Sequence, residues 1–85
     1  MKPVEIYTSP FCGFCHAAKR LLNSKGVTFS EVDISREPER RAEMVQRADG
    51  GRTVPQIFVG EDHVGGCDEL YALERAGRLD SLLAA

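Results

Sequence analysis

Two cysteines separated by two residues, Cys12 and Cys15, are the side chains of this sequence best suited to chemistry. They lie between a β-rich segment, residues 4–8, and a segment with the periodicity of a helix. At a helix N-terminus, unpaired backbone N–H groups and the positive end of the helix dipole favour a cysteine thiolate over the thiol. Because the thiolate is the nucleophile of disulfide exchange, we assign Cys12 as the nucleophile and Cys15 as the thiol that resolves a mixed disulfide.

A metal site and an inert structural pair are the alternative interpretations of these cysteines. A zinc site needs four ligands, and the remaining candidates in the sequence are Cys67, His16 and His63. These three residues do not form a second closely spaced pair of ligands. Redox chemistry is therefore the interpretation that the sequence favours.

The composition narrows the class of protein. The chain has 85 residues, enough for one domain over 1–85, and a net charge of -2, which argues against nucleic acid or a membrane surface as a partner. No apolar run approaches the roughly 18 residues of a membrane span, and the first residues do not resemble a signal peptide. We therefore expect a cytoplasmic protein. In a reducing cytosol, closely spaced cysteines are more often catalytic or metal-binding than structural.

The residue pattern predicts an α/β fold of order β-α-β-α-β-β-α with a short C-terminal extension. The predicted strands are 4–8, 27–34, 55–60 and 63–66, and the last two form a hairpin around the turn 60–63. The first predicted helix covers 14–25, and Pro38 is expected in the first turn of the second. Apolar spacing places a third helix before Gly77 and a last helical turn over 79–83. The first two strands should be parallel, so we expect a mixed four-stranded sheet flanked by helices.

Three motifs together resemble the glutaredoxin family. "CGFC" follows the first strand, "TVP" occupies 53–55, and "GGCD" occupies 65–68, in the order and spacing of that family. The resemblance runs the whole length and is greatest to the dithiol, bacterial glutaredoxin 3 type. It implies a thioredoxin fold, a cis Val54–Pro55 peptide bond and glutathione as co-substrate and partner. The implied activity is glutathione-dependent reduction of protein disulfides and of glutathionylated proteins, in cell redox homeostasis.

The resemblance also implies which residues bind glutathione. The backbone of Val54 would pair with the cysteinyl part of the tripeptide, as an added strand does. The backbone of Cys67 and Asp68 would hold the γ-glutamyl carboxylate, and the Asp68 side chain would meet its ammonium group. The complete implied set is Phe14, Thr53, Val54, Pro55, Gly66, Cys67 and Asp68.

The sequence departs from the family pattern near the first cysteine. A lysine that family members often carry there is absent, and Ser9 occupies the segment instead. The positive charge it would supply must come from elsewhere, and the candidates are Arg52, Arg40 and Arg41. The tyrosine and proline of the common "CPYC" motif are replaced by Phe14 and Gly13.

Gly13 keeps a second class of function open. In the family, a small residue after the first cysteine accompanies binding of a [2Fe–2S] cluster between two protein copies. The ligands would be Cys12 of each copy and the thiolates of two glutathiones, so that a monomer would become a cluster-bridged homodimer. A dedicated electron donor to one enzyme, such as ribonucleotide reductase, is a further alternative.

Overall fold

The computed structural model describes residues 1–84 of the chain. Its elements follow the predicted order, with the predicted C-terminal turn forming a short fourth helix. Their bounds are β1 (Val4–Thr8), α1 (Gly13–Ser24), β2 (Phe29–Asp33), α2 (Arg40–Arg47), β3 (Gln56–Val59), β4 (Asp62–Gly65), α3 (Cys67–Arg75) and α4 (Leu79–Ala84).

The strands form one mixed sheet of order β2-β1-β3-β4. β1 and β2 are parallel, as the intervening helix predicted, whereas β3 is antiparallel to both β1 and β4. The β3–β4 hairpin closes through the two-residue turn at Gly60 and Glu61. The mixed four-stranded sheet is therefore confirmed.

Two predicted boundaries were wrong by two residues, and several others differ from the structure by one residue. Val27 does not begin β2, because its N–H donates to the Leu22 carbonyl oxygen at 3.1 Å and so belongs to the turn that closes α1. Pro38 lies two residues before α2 rather than in its first turn. Its carbonyl oxygen accepts from the N–H of Arg41 at 3.2 Å, so Pro38 forms the tight turn that leads into the helix.

The core lies on both faces of the sheet. One cluster joins apolar residues of β1 and β3 to buried residues of α1, α3 and α4, including Leu22, Leu70 and Leu79. The second cluster joins Tyr7 and Phe58 to residues of α2 and of β2. All four residues of β3 are buried, as expected for a strand covered on both faces.

The fold places two chain segments at one end of the sheet. β1 leads directly into residues 9–12 and the N-terminus of α1, while the loop before β3 carries Val54 and Pro55. Within residues 1–84, no helix has the length and apolarity that crossing a membrane requires.

Candidate active site

Cys12 occupies the N-cap position of α1. Its backbone is extended, with φ -121° and ψ 104°, and its sulfur accepts a hydrogen bond from the N–H of Cys15 at 3.0 Å. A sulfur in this position faces the unpaired N–H groups of the first helical turn. The predicted position of Cys12 at the helix N-terminus is thus confirmed, and in the reduced protein this position would favour the thiolate.

Cys12 and Cys15 are joined by a disulfide, and their Cα atoms are 5.2 Å apart. The two residues differ in access to solvent, because Cys15 is completely buried and Cys12 is only half-buried. An incoming disulfide therefore reaches Cys12 first. Cys15 can approach an intermediate on Cys12 from inside the protein.

The loop before β3 lies against the cysteine pair. The Cys12 sulfur is 3.7 Å from the carbonyl oxygen of Val54, and the Val54–Pro55 peptide bond is cis, as the family resemblance implied. Pro55 is buried, whereas Val54 keeps part of its surface exposed. The structure thus presents the Val54 backbone beside the reactive sulfur.

A cavity of about 310 Å³ opens next to this loop. It is bounded by the loop before β3, by the start of α3 and by one aromatic ring of α1. Its lining residues are Phe14, Thr53, Val54, Pro55, Gly66, Cys67, Asp68 and Glu69. The structure therefore brings together the seven residues that the family motifs implied, whereas the three candidate arginines lie outside this lining.

Glu69 is the lining residue that sequence reasoning missed. Its Oε1 accepts a hydrogen bond from the N–H of Gly66 at 2.7 Å, which stabilises the first turn of α3. Gly65 has a φ of 116°, and a side chain there would meet the Glu69 carboxylate at 2.8 Å. A glutamate three residues after a helix N-cap is a known capping signal, and it could have identified this residue.

The three candidate arginines do not line the cavity. Arg40 pairs with Glu43 at 2.9 Å and with Glu37 at 3.9 Å on the surface of α2. Arg41 donates from Nη2 to the carbonyl oxygen of Arg52 at 3.0 Å, and Arg52 itself is exposed. Arg41 therefore holds the backbone immediately before Thr53.

Cys67 is the remaining cysteine, and it is unpaired and only 8% exposed. Burial, and then the adjacent Asp68 carboxylate, raise the pKa of the Cys67 thiol above its ordinary value. The residue thus behaves as a small apolar side chain in the cavity wall. Among residues 1–84, no three His, Cys, Asp or Glu side chains cluster as a metal site.

The chain segment on either side of Cys12 exposes apolar side chains. Phe11 is fully exposed and Phe14 is 66% exposed, and both are sequence neighbours of Cys12. Pro10 and Gly13 in the same segment are also exposed. A bound molecule larger than the cavity therefore meets aromatic surface next to the sulfur.

Comparison with known proteins gives one family. The glutaredoxin family model matches residues 4–64 of the chain. A glutaredoxin of Pseudomonas aeruginosa is 58% identical over 85 residues, with 100% of both chains covered. Glutaredoxin 3 of Escherichia coli K12 is 54% identical over 83 residues, with 98% of this chain and 99% of the relative covered.

Solved structures extend the likeness to three dimensions. A buckwheat glutaredoxin–glutathione complex superposes with a TM-score of 0.89 at 30% identity, covering 98% of this chain and 77% of that one. A structure concerned with metal binding of glutaredoxins gives a TM-score of 0.73 at 58% identity, covering 98% and 89%. The likeness therefore spans both the cysteine pair and the cavity.

Proposed function

Because this chain belongs to the glutaredoxin family of thiol–disulfide oxidoreductases and has the thioredoxin fold, we propose that glutathione is its reductant. Its substrates are then protein disulfides and mixed disulfides between glutathione and other thiols. Because this reaction needs a supply of reduced glutathione, we also propose that the protein works in the cytoplasm. Dedicated service to one enzyme, such as ribonucleotide reductase, remains a narrower prediction.

The observation that carries this proposal is the position of the cavity relative to the disulfide. Val54 lines the cavity, and its carbonyl oxygen is 3.7 Å from the Cys12 sulfur. The other wall is the start of α3, where the N–H groups of Cys67 and Asp68 are not used by helix bonds and suit a carboxylate. An extended γ-glutamyl peptide fits between these walls with its sulfur beside Cys12, and the buckwheat relative was solved with glutathione.

With a glutathione mixed disulfide, only Cys12 is required. Its thiolate attacks the glutathionyl sulfur, the bond between glutathione and the substrate breaks, and the substrate leaves as a thiolate that takes a proton from solvent. A second glutathione thiolate then attacks the glutathionyl sulfur held on Cys12. This step releases glutathione disulfide and restores the Cys12 thiolate, so one added glutathione is consumed for each substrate thiol that is released.

With a protein disulfide, Cys15 completes the reaction. Cys12 first forms a mixed disulfide with one substrate sulfur, and the other substrate sulfur leaves as a thiol. Cys15 then attacks the Cys12 sulfur, which releases the second substrate thiol and leaves the Cys12–Cys15 disulfide. Two glutathiones reduce this disulfide and are themselves oxidised to glutathione disulfide.

The test uses the mixed disulfide of glutathione and 2-mercaptoethanol as substrate. Turnover is followed with glutathione as reductant and, as a control, with cysteine at matched thiolate concentration. We expect rapid turnover with glutathione and little with cysteine, because cysteine has no γ-glutamyl group for Asp68. Equal rates with both reductants would contradict the proposal.

Binding of a [2Fe–2S] cluster is a second candidate function. Two observations favour it: a glutaredoxin structure concerned with metal binding is 58% identical to this chain, and the space around Gly13 is open. The half-buried sulfur of Cys12 would be the protein ligand in each of two copies, with glutathione thiolates as the others. All-thiolate ligation of this kind is usual for such clusters.

A further inference from the structure

Gln56 is a buried polar side chain in a strand that is otherwise apolar. It begins β3 and is only 5% exposed. A buried amide is costly unless its hydrogen-bonding groups are satisfied. The Nε2 atom of Gln56 donates to the carbonyl oxygen of Thr53 at 3.0 Å. The buried amide is thus attached to the loop that lines the cavity.

The orientation of the Gln56 amide is determined by its two partners. The Thr53 carbonyl oxygen can only accept, so the amide NH₂ group faces it and the amide Oε1 faces the opposite way. Oε1 lies 2.7 Å from the Nε2 atom of His63, which must therefore carry a hydrogen and donate. His63 is exposed on β4, and its ring stacks on Phe58 with 5.0 Å between ring centroids.

The loop packs directly on this amide. A Cβ atom added at Gly51 would lie 3.0 Å from the Nε2 atom of Gln56 and 3.1 Å from the Cβ atom of Ala48. Thr53 and Val54 follow in the same loop and line the cavity. A change at the amide therefore reaches the backbone that lies beside Cys12.

We propose that Gln56 and His63 are positioning residues, which hold the loop that lines the cavity. This proposal rests on the proposed use of glutathione. His63 holds the carbonyl side of the Gln56 amide, and the NH₂ side of that amide holds the Thr53 carbonyl oxygen. The Val54 backbone is thereby presented at a fixed distance from the Cys12 sulfur. Neither positioning residue touches the reacting atoms, and both act through the loop.

The experiment compares Gln56→Leu with Gln56→Glu. Leucine removes both hydrogen bonds while filling a similar volume. Glutamate keeps an acceptor for His63 but places a second acceptor against the Thr53 carbonyl oxygen. In both variants we expect the KM for the glutathione mixed disulfide to rise about three- to tenfold, because both lose the hydrogen bond to the Thr53 carbonyl oxygen, with kcat unchanged.

Two measurements separate positioning from mere stability. Thermal unfolding reports the fold, and hydrogen exchange of the Val54 amide reports order in the loop without any turnover. We expect faster exchange at Val54 in both variants. His63→Phe keeps an aromatic ring against Phe58 but removes the hydrogen-bond donor to Gln56. We therefore expect smaller increases in KM and in exchange at Val54 than in the Gln56 variants. Asp62→Asn, in the same hairpin and without contact to the amide, is the matched control.

The proposal is overturned if Gln56→Glu keeps the wild-type KM and the wild-type exchange rate at Val54. It is also overturned if the KM of Gln56→Leu rises while exchange at Val54 does not. A wild-type protein that fails to turn over the mixed disulfide contradicts the proposed function instead. In that event, exchange at Val54 still decides whether the amide orders the loop.

Discussion

The Cys12 sulfur lies 3.7 Å from the carbonyl oxygen of Val54, a residue 42 positions further along the chain. The first group comes from the N-terminus of α1 and the second from the loop before β3. Both are fixed by the same sheet, since β1 and β3 pair directly. Any sulfur that bonds to Cys12 must therefore lie beside the exposed backbone of that loop.

The two cysteines should contribute unequally to activity. Cys12→Ser should abolish turnover of every substrate, because the N-cap sulfur is the one that solvent reaches. Cys15→Ser should retain turnover of small glutathione mixed disulfides, which need one enzyme thiol, and lose most reduction of protein disulfides. Steady-state rates with 2-mercaptoethanol–glutathione and with a disulfide-containing protein measure both effects. Normal turnover by Cys12→Ser would show that the nucleophile is misassigned.

Cys67 should be far less reactive than Cys12 in the reduced protein. Burial raises the pKa of the Cys67 thiol, so at neutral pH a smaller fraction is the reactive thiolate. Brief treatment with iodoacetamide, followed by peptide mass spectrometry, should find the label on Cys12 and little on Cys67. Raising the pH should increase labelling of Cys67 only as its thiolate forms. Equal labelling at neutral pH would contradict this assignment.

Asp68→Ala should weaken binding of glutathione without unfolding the protein. The side chain is exposed at the cavity wall, and the contact it would make is a partly solvated charge pair. We expect an increase of a few-fold in the apparent KM for glutathione. Asp62→Ala is the control, since it also removes an exposed carboxylate but lies outside the cavity, where it pairs with Lys2 at 3.5 Å. An equal KM in the two variants would place the ammonium contact elsewhere.

Thr8→Val should lower stability in a pH-dependent way. The buried Thr8 hydroxyl donates to Glu31 at 2.7 Å, and this bond is the main cause of the lowered pKa of Glu31. The variant should lose about 1 kcal/mol of unfolding free energy at neutral pH, the value of one hydrogen bond to a carboxylate that is partly exposed.

The sign of the pH effect follows from the direction of the shift. A carboxyl whose folded pKa is below its ordinary value of 4.5 adds stability above that pH and loses it as the pH falls through the folded pKa. The difference between wild type and Thr8→Val should therefore be largest at neutral pH and shrink in acid. Urea unfolding over a series of pH values measures it, and a difference that grew on acidification would contradict the role given to Glu31.

Gly13→Pro should separate disulfide reduction from cluster binding. Gly13 is the first residue of α1, where proline is well tolerated, and a Cβ there meets nothing within 4 Å. Cys12 before it is extended, as a residue preceding proline prefers. The variant should therefore fold and turn over mixed disulfides.

The cluster itself is tested by anaerobic reconstitution with iron, sulfide and glutathione, read by visible absorption and by molecular size. The wild type should give a coloured dimer that bleaches when glutathione is removed, and neither Gly13→Pro nor Cys12→Ser should do so. A colourless wild-type monomer under these conditions would exclude this function.

The fold could be predicted because local signals agree with it. The alternation in 4–8 reproduces β1 without error, and the apolar run in 57–59 indicates a strand covered on both faces. Boundary errors arose where the backbone hydrogen bonds differ from what the side chains favour. The β-branched side chain of Val27 favours a strand, yet its N–H belongs to the turn after α1.

The lining of the cavity could be predicted only through motifs, because three distant segments build it. Individual side-chain hydrogen bonds have no such signal, which is why the link from His63 through Gln56 to Thr53 emerges from the structure alone. The candidate arginines show that sequence position also does not reveal whether a charged side chain is already paired. Their position in the chain does not reveal that Arg40 already pairs with carboxylates of its own helix region.

The strand order also determines which edges of the sheet are open to pairing with another chain. β2 and β4 are the open edges of the sheet, and open edges are templates for pairing with other chains. Both edges are short and carry acidic side chains: Glu31 and Asp33 on β2, and Asp62 on β4. Charged side chains on an exposed edge disfavour its pairing with a strand of another copy. Because the pKa values of Glu31 and Asp33 are lowered by hydrogen bonds from Thr8 and Ser35, these side chains keep their negative charge further into acidic solution than ordinary carboxyls do.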